Sequence, residues 1–180
     1  QFIIDAAQGD VDRWVRSGEW RKDIPDTAKC YYRLYKFGDM HRLIAAYEGM
    51  LREYGSMKEY VRSHASTGIE AVSAICRYFA EHDASTVVPR NTQSACKRVC
   101  MFLRWMVRSG SPVDLGLWAD IIDRRTLIMP LDTHVVQEAL RLGLLKSRTA
   151  SMATARRLTD AMLEVFPDDP LRGDFALFGL

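Results

Sequence analysis

The sequence lacks long apolar runs and has little excess charge of either sign. A membrane-spanning helix needs about 20 consecutive apolar residues, and no segment reaches that length. The net charge is only +2 over 180 residues, which argues against the strong general affinity for nucleic acid of a highly basic domain. The first residues lack a basic region followed by an apolar core. We therefore expect a cytoplasmic protein with no membrane partner.

Cysteine is scarce, and its spacing excludes the common metal sites. The four cysteines form no CxxC pair and no zinc-binding pattern; they are Cys30, Cys76, Cys96 and Cys100. Buried, reduced thiols are expected, and no metal ligands are assigned. The glycine-rich GxGxxG and GxxxxGK[ST] motifs are also missing, which excludes a Rossmann or P-loop nucleotide site.

Apolar residues recur at the i, i+3, i+4 spacing of helices, and no segment shows the alternation of a strand. The pattern predicts an all-α, two-lobed fold, with one lobe in residues 1–89 and another region in 90–180. The chain begins without methionine, so we expect it to be incomplete at its N-terminus. The predicted helices cover 10–17, 26–36, 39–54, 56–64, 67–81, 94–108, 132–142, 150–163 and 170–178.

Positive charge is concentrated in the second half of the chain. Residues 90–180 carry a net charge of +3, and residues 1–89 a net charge of −1. Within the second half, the segments 90–108 and 139–159 each contain five basic residues and no acidic one. Such clusters are typical of phosphate-binding surfaces, although the solvated faces of two helices explain them equally well.

Asp132 lies at the start of the predicted helix in "PLDTHVVQEALRLGLL". Its carboxylate can cap the helix by accepting a hydrogen bond from a free N–H group, that of Val135 or His134. Gly143 would end the helix. A capping role therefore accounts for Asp132 completely, but a fixed carboxylate at this position is also suited to stabilise a developing cation.

Lys97 occupies an unusual position in the helical segment "SACKRVCMFLRWMVR". A cation in the first turn of a helix is disfavoured by the helix dipole, and Arg98 and Arg104 add positive charge nearby. These surroundings favour the neutral amine, which is the form that attacks carbon to give a Schiff base. A solvated or phosphate-binding lysine is the alternative.

These segments resemble a known family of DNA repair enzymes. "PLDTHVVQEALRLGLL" is similar to the segment that carries the essential aspartate of helix–hairpin–helix (HhH-GPD) DNA glycosylases of the endonuclease III type. Together with "SACKRVCMFLRWMVR" and "DFALFGL", it resembles a bacterial glycosylase-like family that carries a domain-of-unknown-function label. The separation between Lys97 and Asp132 is similar to that in archaeal 8-oxoguanine glycosylases.

The resemblance implies that Lys97 is the Schiff-base nucleophile and that Asp132 stabilises the cationic sugar. It implies a DNA glycosylase and abasic-site lyase of base excision repair, with an oxidised purine such as 8-oxoguanine as the favoured target. The residues expected to contact DNA are Arg90, Asn91, Ser94, Arg98, Arg104, Thr133 and His134.

The mechanism that the resemblance implies needs no metal or cofactor. The expected partner is double-stranded DNA with a damaged base or an abasic site, bound by a monomer associated with the nucleoid. Two other functions remain open from the residues alone. One is a non-catalytic DNA-binding domain, and the other is a helical protein-interaction module in which Asp132 is only a cap.

Overall fold

The computed structural model describes residues 1–178, except for the side chains of 175, 176 and 178. The described chain is mainly helical and divides into two compact units. The first contains Gln1–Ser63 and Tyr78–Val88; the second contains His64–Arg77 and the residues from Pro89 onward. Residues 64–77 therefore group with the C-terminal region, and residues 78–88 group with the N-terminal one.

The first unit consists of short helices, one long helix and a small hairpin. Trp14, Trp20 and Ile24 are fully buried and form the centre of its apolar core, together with Ile44 and Leu51 from the long helix. The elements are α1 (Phe2–Ala6), α2 (Val11–Arg16), α3 (Trp20–Asp23), β1 (Cys30–Tyr32), β2 (Tyr35–Lys36), α4 (Phe37–Tyr54) and α5 (Met57–His64).

The helix predicted at 26–36 and the expectation of no strand are wrong. The segment forms an antiparallel hairpin, in which Cys30 pairs with Lys36 and Tyr32 with Tyr35. Arg33 adopts a positive φ of 53° in the turn, a conformation that interrupts a helix. Tyrosine favours strands. The tight turn at Arg33 then favours a hairpin over a helix in this segment.

The second unit contains the C-terminal helices and the long segment between α7 and α8. Helix α6 begins in this unit and ends in the first one. Its elements are α6 (Gly68–Glu81), α7 (Lys97–Val107), a short 3-10 helix (Arg124–Thr126), α8 (Thr133–Arg141), α9 (Met152–Val165) and α10 (Arg172–Phe178). Among the described residues, no helix combines the length and the apolarity needed to cross a membrane.

A short antiparallel bridge joins the segments that lead into α7 and α9. Ser94 pairs with Ser151; the Ala95 N–H donates to the Ala150 carbonyl at 3.2 Å, and the Met152 N–H donates to the Gln93 carbonyl at 3.4 Å. This clasp of residues 93–95 with 150–152 fixes the first residue of α7, which is Lys97, beside the start of α9.

Candidate active site

Asp132 caps α8 as the sequence predicts. Its backbone is extended, and its Oδ1 accepts a hydrogen bond of 2.8 Å from the Val135 N–H. At the other end of the helix, Gly143 has a φ of 75°, and the Ala139 carbonyl accepts bonds from Leu144 and Leu145. Both ends of α8 therefore hold this helix in a fixed position, with one carboxylate oxygen of Asp132 still available.

The second carboxylate oxygen of Asp132 contacts Lys97. The Lys97 Nζ lies 3.2 Å from the Asp132 Oδ2. The lysine side chain is 47% exposed and the aspartate 25% exposed, so solvent and a ligand can reach the pair. The structure thus brings together two residues that lie far apart in the sequence and that the resemblance assigns to one reaction.

The approach of Lys97 depends on an unusual start of α7. Ser94 does not cap this helix; the N-cap residue is Cys96, whose φ of 47° and ψ of 38° lie in the left-handed region. The buried Cys96 sulfur receives a contact from the Cys76 thiol at 3.8 Å. Because Cys96 is buried in this left-handed conformation, the chain changes direction there, between the clasp and the first turn of α7.

The surroundings of Asp132 favour its ionised form. Partial burial alone raises the pKa of the carboxyl group, but the Val135 N–H bond and the Lys97 ammonium outweigh that effect and lower the pKa below its ordinary value. The group is therefore a carboxylate at neutral pH. A carboxylate at this position can accept a proton from Lys97 or stabilise an adjacent positive charge.

A cavity of about 950 Å³ opens at the Lys97–Asp132 pair. One part of its wall is apolar, and another carries amide, hydroxyl and guanidinium groups, which is the mixed lining typical of small-ligand sites. Its lining residues are Lys97, Leu131, Asp132, Thr133, Val136, Gln137, Leu140, Arg141, Arg148 and Ala150.

Of the residues expected to contact DNA, Thr133 lines this cavity. Arg90, Ser94 and Arg98 are exposed outside its lining. Asn91 is exposed too, and its Oδ1 accepts the Gln93 N–H at 3.0 Å within the loop. His134 is half-buried and follows Asp132 in the first turn of α8.

Arg104 was expected to contact DNA, but the structure buries it. Its side chain is only 4% exposed and is bound to Asp174 and Asp114, so it does not face solvent. Arg108, at the end of the same basic segment, is buried against Asp114 and Asp169. The segment 90–108 thus contributes less surface charge than its composition indicates, because two of its five basic side chains neutralise buried carboxylates.

Several features of the site were not found by reasoning from the sequence. Gln137, Arg141 and Arg148 line the cavity, and Asp174 joins the buried ion cluster from α10. Burial raises the pKa of the Asp174 carboxyl group, although Arg104 acts against it. Gln137 lies one helical turn after Thr133, and this spacing is the sequence feature that could have predicted its place in the cavity wall.

The comparison with known families identifies the chain. The family model described as "Protein of unknown function (DUF2400)" matches residues 1–180. The chain belongs to the DUF2400 family. No curated protein and no solved structure matches it. The DUF2400 description names no activity, so the residues of the site are what indicates a function.

Proposed function

We propose that this DUF2400 protein is a DNA glycosylase with abasic-site lyase activity on an HhH-GPD-like helical scaffold. The observation that supports the proposal most is the 3.2 Å contact between the Lys97 Nζ and the Asp132 Oδ2 at the wall of an open cavity. A nucleophilic amine beside a fixed carboxylate is the pair of groups that displacement at a sugar carbon requires. The site uses groups of the chain alone.

In the proposed reaction, Asp132 accepts a proton from Lys97 and the neutral amine attacks C1′ of the damaged nucleoside. The C1′–N bond breaks, and its electron pair leaves with the base, which takes from Asp132 the proton that came from Lys97, so that Asp132 is again a carboxylate. The carboxylate stabilises the positive charge that develops on the sugar. The attached nitrogen then passes a proton to the ring oxygen, and the bond between C1′ and that oxygen breaks to give a protonated Schiff base. The Asp132 carboxylate accepts a C2′ proton, and the electron pair of that C–H bond expels the 3′ phosphate by β-elimination.

The proposed substrate is double-stranded DNA with a damaged base, and 8-oxoguanine is the first lesion to test. A base must leave the duplex to reach such a cavity. Four exposed basic side chains have no ion-pair partner among the described residues, and they are available for phosphates. They are Lys146, Arg148, Arg156 and Arg157. On this proposal the protein acts as a monomer at the nucleoid.

Borohydride trapping on a duplex with one abasic site tests the chemistry directly. The wild type is expected to form a covalent protein–DNA band, because reduction fixes the Schiff base. Lys97→Gln removes the amine and should abolish the band. Asp132→Asn should reduce it by roughly 100-fold or more, in the range that a positioned acid or base contributes. Lys22→Gln, which changes an exposed lysine of α3, is the matched control.

A DNA-binding domain without catalysis is the second candidate, and the four exposed basic side chains favour it. It predicts salt-dependent duplex binding with no trapped band in the wild type. If the wild type neither traps nor binds duplex DNA above background, both proposals fail and a protein-interaction role is left.

A further inference from the structure

One face of α8 forms a continuous wall of the cavity. The residues on this face follow Asp132 at the spacing of a helical stripe; they are Thr133, Val136, Gln137, Leu140 and Arg141. The wall is apolar at Val136 and Leu140, and Leu131 extends this apolar surface. Such a wall suits a flat, largely apolar ligand with a polar edge.

Gln137 is the neutral polar group in the middle of that wall. Its side chain is exposed and makes no hydrogen bond with any described residue. Its neighbour Arg141 is instead engaged, since its Nε donates to the Glu138 Oε2 at 2.7 Å. The amide of Gln137 offers a donor and an acceptor side by side, which is the arrangement that hydrogen-bonds the edge of a nucleobase.

The position of Gln137 along α8 fits such a contact. It lies five residues after Asp132, which corresponds to about 7.5 Å along the helix axis. If the sugar carbon is placed at Lys97 and Asp132, a base attached to it extends along the wall toward Gln137. The amide then lies near the polar edge of the base, while Val136 and Leu140 contact its apolar surface.

We propose that Gln137 is the substrate-binding residue that hydrogen-bonds the edge of the extruded base. This inference rests on the proposed glycosylase function and deepens it, because it assigns the α8 wall to the base and the Lys97–Asp132 pair to the sugar. The inference predicts different effects on two substrates. Gln137 contributes to the reaction of a damaged nucleotide, and it contributes nothing at an abasic site, because the base is missing there.

The test compares the Gln137→Met variant with the wild type on duplexes that differ only at one nucleotide. One duplex carries an abasic site, and the others carry 8-oxoguanine, hypoxanthine or uracil. Methionine matches glutamine in length and helix propensity but cannot replace both hydrogen bonds. We expect base release under single-turnover conditions to fall by about 10-fold or more, with trapping at the abasic site changed less than about twofold.

Two further variants control the comparison. Gln137→Glu retains the length and an acceptor but loses the amide donors, so its rate of base release should lie between those of the wild type and Gln137→Met. Gln8→Met changes an exposed glutamine outside the cavity lining and should leave both reactions unchanged.

The outcomes distinguish this inference from the function on which it rests. If the wild type traps the abasic duplex but releases none of the three bases, or if Gln137→Met affects both reactions equally, the assignment of Gln137 is overturned. Unchanged base release by Gln137→Met overturns it as well. Failure of the wild type to trap the abasic duplex instead refutes the lyase chemistry of Lys97.

Discussion

At the scale of single residues, the Asp132 carboxylate combines a helix-capping role with a contact to Lys97, to which the proposed function gives a chemical role. One oxygen caps α8 through Val135, and the other contacts Lys97. The two roles are separable, because asparagine caps helices about as well as aspartate but carries no charge. Substitution at this position can therefore show which role a measurement reports.

Asp132→Ala should lower the free energy of unfolding by about 1 kcal/mol, the usual cost of a lost N-cap. Asp132→Asn should preserve most of that stability while it still impairs trapping. Urea unfolding of the two variants checks this expectation. Equal losses for alanine and asparagine would show that the ion pair, and not the cap, stabilises the helix.

The lowered pKa of Asp132 also predicts a dependence of stability on pH. A carboxyl group whose pKa is lower in the folded state than in the unfolded state stabilises the fold above its ordinary pKa of about 4. This contribution is lost as the pH falls through the lowered value. Unfolding measured from neutral to acidic pH should therefore show a smaller acid loss for Asp132→Asn than for the wild type.

The cysteines differ sharply in environment. Cys30 is exposed, while the other three are buried. Burial raises the pKa of Cys100 to about 12. The hydrogen bond from the Cys76 thiol raises the pKa of Cys76 and lowers that of Cys96.

A thiol reagent at neutral pH should label Cys30 rapidly in the folded protein and all four cysteines only after denaturation. Mass spectrometry of the labelled peptides identifies the sites. Rapid native labelling of Cys96 would mean that the start of α7 opens readily.

At the scale of elements, a buried cluster of charges ties α7 to the segment that follows it and to α10. Asp114 contacts both Arg104 and Arg108, the latter at 2.8 Å between its Nη1 and the Asp114 Oδ2. Arg108 also binds Asp169, and Arg104 binds Asp174. Such a cluster fixes α7, and with it Lys97, because removal of one charge leaves another one buried without its partner.

Asp114→Ala should destabilise the fold by about 3–5 kcal/mol, the range found when one partner of a buried ion pair is removed. The matched control is Asp12→Ala, which breaks the exposed pair of Asp12 with Arg16 and should cost less than about 1 kcal/mol. Denaturant midpoints of the two variants measure the difference. Similar small losses in both would mean that the cluster does not hold α7.

The sequence predicts the longer helices well, because their apolar stripes and caps are local features. Asp10 and Ser56 cap their helices through the N–H groups of Arg13 and Glu59, as their positions indicate. The hairpin was missed because a single turn residue, Arg33, decides it. The start of α7 was placed too early for a similar reason, since the clasp at Ser94 depends on a distant segment.

The candidate site was only partly accessible from the sequence. The capping role of Asp132 follows from its position, whereas its contact with Lys97 was an expectation from a resemblance and not from any local pattern. The burial of Arg104 was not predictable, because its partner Asp174 is 70 residues away. The "DFALFGL" segment, which contributes to the resemblance, lies partly outside the described residues.

At the scale of the whole molecule, the small net charge conceals an uneven distribution. Two of the arginines in segment 90–108 are bound in buried ion pairs. In segment 139–159, Arg156 and Arg157 are exposed and have no ion-pair partner among the described residues. We therefore expect duplex binding to depend mainly on segment 139–159.

Double substitution of Arg156 and Arg157 by glutamine should weaken duplex binding about equally for all DNA sequences. The slope of log K against log salt should fall by roughly 0.9 for each phosphate contact that is lost. Fluorescence anisotropy over a salt series measures this slope. An unchanged slope would place the DNA on a different surface.

The clasp between residues 93–95 and 150–152 has a consequence for how the chain tolerates change. The loop from Gly143 to Ala150 joins α8, which carries Asp132 at its start, to the strand-like segment that fixes the position before Lys97. The length of this loop therefore helps to set the distance between the Lys97 amine and the Asp132 carboxylate. An inserted or deleted residue in this loop would therefore be expected to change that distance, although the loop contains neither Lys97 nor Asp132.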